Sequence, residues 1–158
     1  MPQLFQIAAI AIATFGTGAA TLTVMNEDIP DLEVPTGAWA ADGMLDGATF
    51  KISGSDVNSG AELEDVIRFR DGKFQSADCQ KYCDFGWTEY QTKIVDGVTH
   101  FTTVTICPDA PHTVVWYGTV EDGKVNLDVT WTTRRWYWTN QIHVRGSGAI
   151  TETKDVSG

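Results

Sequence analysis

At 158 residues the chain is one domain's worth, long enough to bury a core without metals or a dense set of disulfides. Six Trp and 11% aromatic residues supply rings that can fill or line an interior, and a formal net charge of −10 makes the surface self-repelling. That charge disfavours nucleic acid and anionic membrane as partners, and the basic pairs Arg68 with Arg70 and Arg134 with Arg135 are too small to reverse it.

The chain opens on an uncharged apolar run, Leu4 to Phe15, followed by the small residues Gly16-Thr17-Gly18-Ala19-Ala20. This is the layout of a signal-peptide core and its cleavage site, so residues 1–20 are read as a signal peptide. The alternative is a retained N-terminal membrane anchor, because the uncharged stretch continues to Met25. Export implies a periplasmic or secreted protein with no strong membrane association after cleavage. Residues 21–45 follow as an irregular acidic lead-in with two Pro after Asn26, crossing one end of the next domain with Trp39 turned inward.

Residues 46–150 carry the organising signal. Asp-Gly dipeptides recur at Asp46-Gly47, Asp71-Gly72, Asp96-Gly97 and Asp122-Gly123. Both residues tolerate the positive φ that a two-residue type I′ hairpin turn needs. The last three are flanked by β-rich segments, and the first marks entry into an initial strand. Strands are expected at about 48–54, 63–70, 73–77, 87–95, 98–107, 113–121, 124–133 and 137–149, with no convincing helix. A two-residue turn at Asp122-Gly123 pairs Val120 with Val125, Gly118 with Leu127, Trp116 with Val129, and Val114 with Trp131. These residues then share one face, while Thr113, Tyr117, Asp128 and Thr130 share the other. Around Asp71-Gly72, Ile67, Phe69 and Phe74 fall together. Around Asp96-Gly97 the sort needs a bulge after Thr102, since Val104 and Ile106 otherwise fall with His100 and Lys93. Eight one-sided antiparallel strands in hairpin order bury their apolar faces by closing into an all-β, up-and-down meander barrel. A two-sheet sandwich is the structural alternative. Residues 151–158 are a polar tail.

The inward set is expected to include Trp116, Trp131, Phe69, Phe74, Trp138, Val114 and Leu127. These could wall a pocket for a small, largely apolar ligand, or pack the interior solid. Arg134 and Arg135, flanked by Trp131, Trp136 and Trp138, occupy the turn between the last two strands. They would grip a carbohydrate or anionic ligand, or close the barrel end by cation–π packing.

Three Cys in an oxidising compartment imply one disulfide and one spare thiol. The register sets Cys107 opposite Gly86, in the loop that carries Cys83, with Cys79 at the end of the preceding strand. Cys83–Cys107 is the first expectation, Cys79–Cys107 the second and Cys79–Cys83 the third. The spacing does not match a zinc site, and no metal or cofactor is expected. His100 and His143 read as surface strand residues, and His112 lies in the loop PDAPHT. No G-x-S-x-G or phosphate-binding loop is present, and Glu62, Glu64 and Asp65 read as a solvated strand entry. The inference is a container rather than an enzyme.

The meander and the pattern LDGATFKI…RFRDGKF…C resemble the calycin group, and within it small secreted bacterial lipocalin-like proteins of uncharacterised function. Gly37-Ala38-Trp39 is similar to the lipocalin G-x-W signature, and Arg145 on the last strand corresponds to the Arg that packs over that Trp. The segment Trp116 to Trp131 is also similar in layout to the central hairpin of avidins, without placeable biotin-binding residues. The lipocalin resemblance implies an eight-stranded barrel with an internal ligand site. The alternative is a structural or interaction barrel with a filled core.

Overall fold

The computed structural model describes residues 33–153. The expected signal peptide and the early lead-in lie outside the described residues. Eight strands run β1 Ala48–Asp56, β2 Glu62–Arg70, β3 Lys73–Ser76, β4 Thr88–Val95, β5 Val98–Ile106, β6 His112–Glu121, β7 Lys124–Arg135 and β8 Trp138–Thr153. They form a closed antiparallel barrel in sequence order, with β8 pairing back onto β1. The last strand therefore extends into the segment read as a tail.

The hairpin rhythm has the expected physical basis. Asp71, Asp96 and Asp122 hold φ of 52°, 51° and 49°, and the glycines after them hold 73°, 81° and 72°. This is the left-handed pair a type I′ turn requires, and its twist matches that of the flanking strands. Asp46-Gly47 instead leads into β1, as expected. The Asp46 carboxylate accepts hydrogen bonds from the Gly72 backbone N–H (3.0 Å) and the Tyr90 hydroxyl (2.8 Å), tying the entry to the β2–β3 turn.

The β6–β7 register is the expected one throughout, from Val114 with Trp131 to Glu121 with Lys124. The β4–β5 and β5–β6 ladders, however, run without a shift through Thr102, so there is no bulge there. Thr103 and Thr105 point inward and are buried, while Val104 and Ile106 face solvent. Polarity misleads here because the inward hydroxyls are satisfied. Thr103 donates to the Glu89 carbonyl (2.6 Å), and Thr105 accepts from the Trp116 indole N–H (3.1 Å).

A helix not expected from the sequence, α1 Ala77–Tyr82, follows β3. The β3 strand stops at Ser76, and its ladder with β4 consists of two pairs only, Lys73 with Glu89 and Phe74 with Thr88. Beyond Ser76 the helix takes the place of strand in the wall. The three Asp-Gly turns and the entry to β1 lie at one rim. The helix, the β5–β6 loop and the β7–β8 tip lie at the other.

Candidate functional site

The two halves of the interior are filled differently. Toward the Asp-Gly rim, Phe50, Phe69, Phe74, Tyr90 and Phe101 form a solid plug. Phe69 is its hub, with ring centroids 5.4 Å from Phe74, 4.9 Å from Tyr90 and 5.0 Å from Phe101 in edge-on contacts. Gly118 is part of the plug's fit, since a Cβ there would come within 2.5 Å of the Phe101 ring and 2.8 Å of Leu127. Toward the helix rim the rings give way to a cavity of about 220 Å³.

The cavity has an apolar wall and an acidic one. Val114 and Trp116 of β6, with Leu127, Val129 and Trp131 of β7, build the first. Ile142 and Val144 of β8, with Ile52 of β1 and Leu63 of β2, continue it. Opposite them stand Asp65 of β2 and Asp78, Cys79 and Tyr82 of α1. Tyr82 (66% exposed), Asp78 and Ile142 are solvent-exposed, so the cavity opens at this rim.

Helix α1 is fixed at both ends, which is what positions the acidic wall. Ser76 caps its N-terminus, its hydroxyl accepting from the Cys79 N–H at 3.1 Å. That hydroxyl in turn donates to Asp65 Oδ2 at 2.5 Å, and Asp65 Oδ1 accepts from the N–H groups of Val66 (2.7 Å) and Asp78 (2.9 Å). At the other end the Cys83–Cys107 disulfide joins the residue after the helix to the end of β5, with Cα atoms 5.9 Å apart. Tyr82 and Phe85 also pack edge-on against Trp131, at 5.1 and 5.5 Å.

Burial pushes the Asp65 carboxyl above the usual carboxylate range, against the lowering effect of its hydrogen bonds. Burial likewise pushes the Cys79 thiol up to about 12. A thiol held protonated in this way is a wall group, not a nucleophile at neutral pH.

The expected site residues divide accordingly. Trp116, Trp131, Val114 and Leu127 line the cavity. Phe69 and Phe74 are buried in the plug. Trp138 does not face the interior: it lies at the β7–β8 tip opposite Arg135, 41% exposed, because the hairpin extends past the rim. Arg134 and Arg135 are exposed on the same tip, beside Trp136 and Tyr137. Trp39 is half-buried just before Ala40, which forms a bridge to Thr92. Arg145 faces outward, 3.4 Å from Asp128. The disulfide is the first expected pairing, and Cys79 is the free thiol.

Asp65 is the site residue the sequence reading misplaced. Glu62 and Glu64 are exposed, but Asp65 shares parity with Ile67 and Phe69 and therefore points inward. That alternation was the available signal. For α1 the signal was Ser76-Ala77-Asp78, a capping serine with an acidic residue in the first turn.

A second polar group lies on the outer face. The His143 imidazole is buried, with Nε2 2.6 Å from Asp128 Oδ1, so it is not the surface residue expected. The contact is close but not an aligned hydrogen bond; neither ring nitrogen has a hydrogen-bond partner among the described residues. Nearby, Tyr117 donates to the Glu33 carbonyl (2.9 Å) and meets His100 Nδ1 at 2.7 Å. A concavity of about 400 Å³ beside the β5–β6 loop is built from outward residues such as Thr113, Val115 and Thr132, outside the barrel interior. No protein-family model, no curated protein and no solved structure matches this chain.

Proposed function

We propose that the chain is an exported, lipocalin-like barrel that binds a small, largely apolar ligand in the cavity at its helix rim. The observation that carries this reading is the division of the interior. A barrel built only as a scaffold has no reason to pack one half with five rings and leave about 220 Å³ of apolar space in the other. An engineered apolar cavity of roughly 150 Å³ takes up benzene, so this one suits a single ring with a short chain. Burial of that surface supplies the affinity, at ~25 cal/mol per Å² before ordering costs.

The Trp pair gives the site a preformed shape. Trp116 is held by Thr105, and Trp131 by His112 (3.4 Å) and the rings of Tyr82 and Phe85. The disulfide supports an oxidising compartment, and no helix among the described residues is long and apolar enough to cross a membrane. The fold, with Gly37-Ala38-Trp39 ahead of the first strand, supports the lipocalin-like reading. Among the described residues the interior supplies no paired acid, base and nucleophile, which supports binding over catalysis.

The test is titration with 4-fluorotoluene, read by Trp emission and by broadening of the ligand's fluorine signal. Wild type is expected to respond and Val129→Phe, which fills the cavity, is not. Silence in wild type, or an unchanged response in the filled variant, overturns the reading. The exposed tip, with Trp136 at 94% exposure beside Tyr137, favours a second reading as an interaction barrel, which survives that result.

A further inference from the structure

The cavity is polar in one sense only. Among the described residues its lining includes two carboxylates, Asp65 and Asp78, and no Lys, Arg or His. The two lie close enough to repel each other, and Asp65 is the more deeply set, with Asp78 exposed at the rim. Three of the roughly four acceptor sites on the Asp65 carboxylate are taken by Ser76, Val66 and Asp78. Asp65 shares the lining of this largely apolar space with Trp116, Trp131 and Tyr82, aromatic rings of the kind that attract cations.

Resting on the ligand-binding reading above, we propose that the cavity selects an apolar amine: a compact ring or short chain in the pocket, with a protonated primary amino group against Asp65 and Asp78. An ammonium offers three donors to the carboxylate wall and relieves the repulsion within it. A neutral alcohol of the same shape gains the apolar contacts and one hydrogen bond. A carboxylate ligand adds a third negative charge to a desolvated site that has no base to receive it.

The geometry also explains why the acid is so firmly held. An ammonium is strongly hydrated, and a site must offer fixed acceptors to replace its water. Asp65 cannot swing away, because Ser76 and two backbone N–H groups hold it and the disulfide holds the helix that carries one of them. The acceptor is therefore ordered before the ligand arrives, which lowers the ordering cost of binding.

The test uses the full chain and three probes that share a ring and a short chain: 2-phenylethylamine, 2-phenylethanol and phenylacetate. Calorimetric titration at neutral pH is expected to rank the amine first by about tenfold or more over the alcohol, equal to ~1.4 kcal/mol, with the carboxylate last. Asp65→Asn is expected to bring the amine down to the alcohol's affinity while leaving the alcohol unchanged. Because Asp65 also anchors the helix, Asp78→Asn at the exposed rim provides a second variant, expected to lower amine affinity by a smaller factor. Equal binding of amine and alcohol, or a preference for the carboxylate, overturns this assignment. A response to 4-fluorotoluene alongside either result leaves the cavity reading standing. No binding of any of the four probes sinks both.

Discussion

The two ends of this barrel are made by the same strands with the same alternation, yet one is packed and the other hollow. At the Asp-Gly rim large rings fill the interior and Gly118 is cut back to fit beneath Phe101. At the helix rim the inward residues are mostly aliphatic, and β3 is replaced by α1 just where a strand would bring further side chains across. The hollow thus follows from ending one strand early and capping the gap with a six-residue helix. Stability is concentrated at one end and recognition at the other.

The largest expected effect breaks the packed end. Phe69→Ala removes the ring that touches Phe50, Phe74, Tyr90 and Phe101, and is expected to cost about 3–5 kcal/mol in chemical denaturation. A loss below about 1 kcal/mol would show that the plug is not the stabilising half.

The next sharpens the hollow end. Replacing both Cys83 and Cys107 by Ser removes a crosslink across a sequence separation of 24, worth about 3.5 kcal/mol by the chain-entropy relation. Amide exchange should accelerate in α1 far more than in the β6–β7 hairpin. Uniform acceleration would mean the two ends are not separable.

The smallest is a pH effect at Asp65. Because burial raises its folded-state pKa, the folded protein keeps a proton that the unfolded chain has released over the pH interval between the two values. Stability is therefore lost as pH rises from about 4, the unfolded value, through the raised folded one. Asp65→Asn cannot titrate, so its denaturation midpoint relative to wild type should rise across that window. A flat difference places the carboxyl in a solvated setting.

The hairpins were far more legible in the sequence than the acidic, helical side of the hollow end. Asp-Gly turns fix register by backbone chemistry alone, and register then sorts Ile67, Phe69, Phe74 and the whole β6–β7 face correctly. Three of the failures share a cause: polar residues turned inward. Thr103, Thr105 and Asp65 read as outward by polarity, but each is satisfied by a partner distant in sequence that no local pattern reveals. The helix was missed because six residues give too short a period to see against a β-rich background. His143 was misplaced for the opposite reason, since its outer-face position by alternation is correct while its burial depends on what surrounds Asp128 and Arg145.

The seam between β1 and β8 has a consequence for how the chain assembles. Seven ladders join strands that follow one another, and each can form as soon as its own hairpin does. The eighth joins Ala48 to Thr153 and returns its hydrogen bonds only after the whole sheet has curled around. Until then both strands are bare edges, open to pairing with another chain. The seam also leaves no room for a side chain at Gly148, where a Cβ would fall 2.0 Å from the Lys51 carbonyl oxygen. Substituting that glycine would leave the earlier hairpins their own pairing while blocking the step that hides the edges, turning a folding seam into a site of self-association.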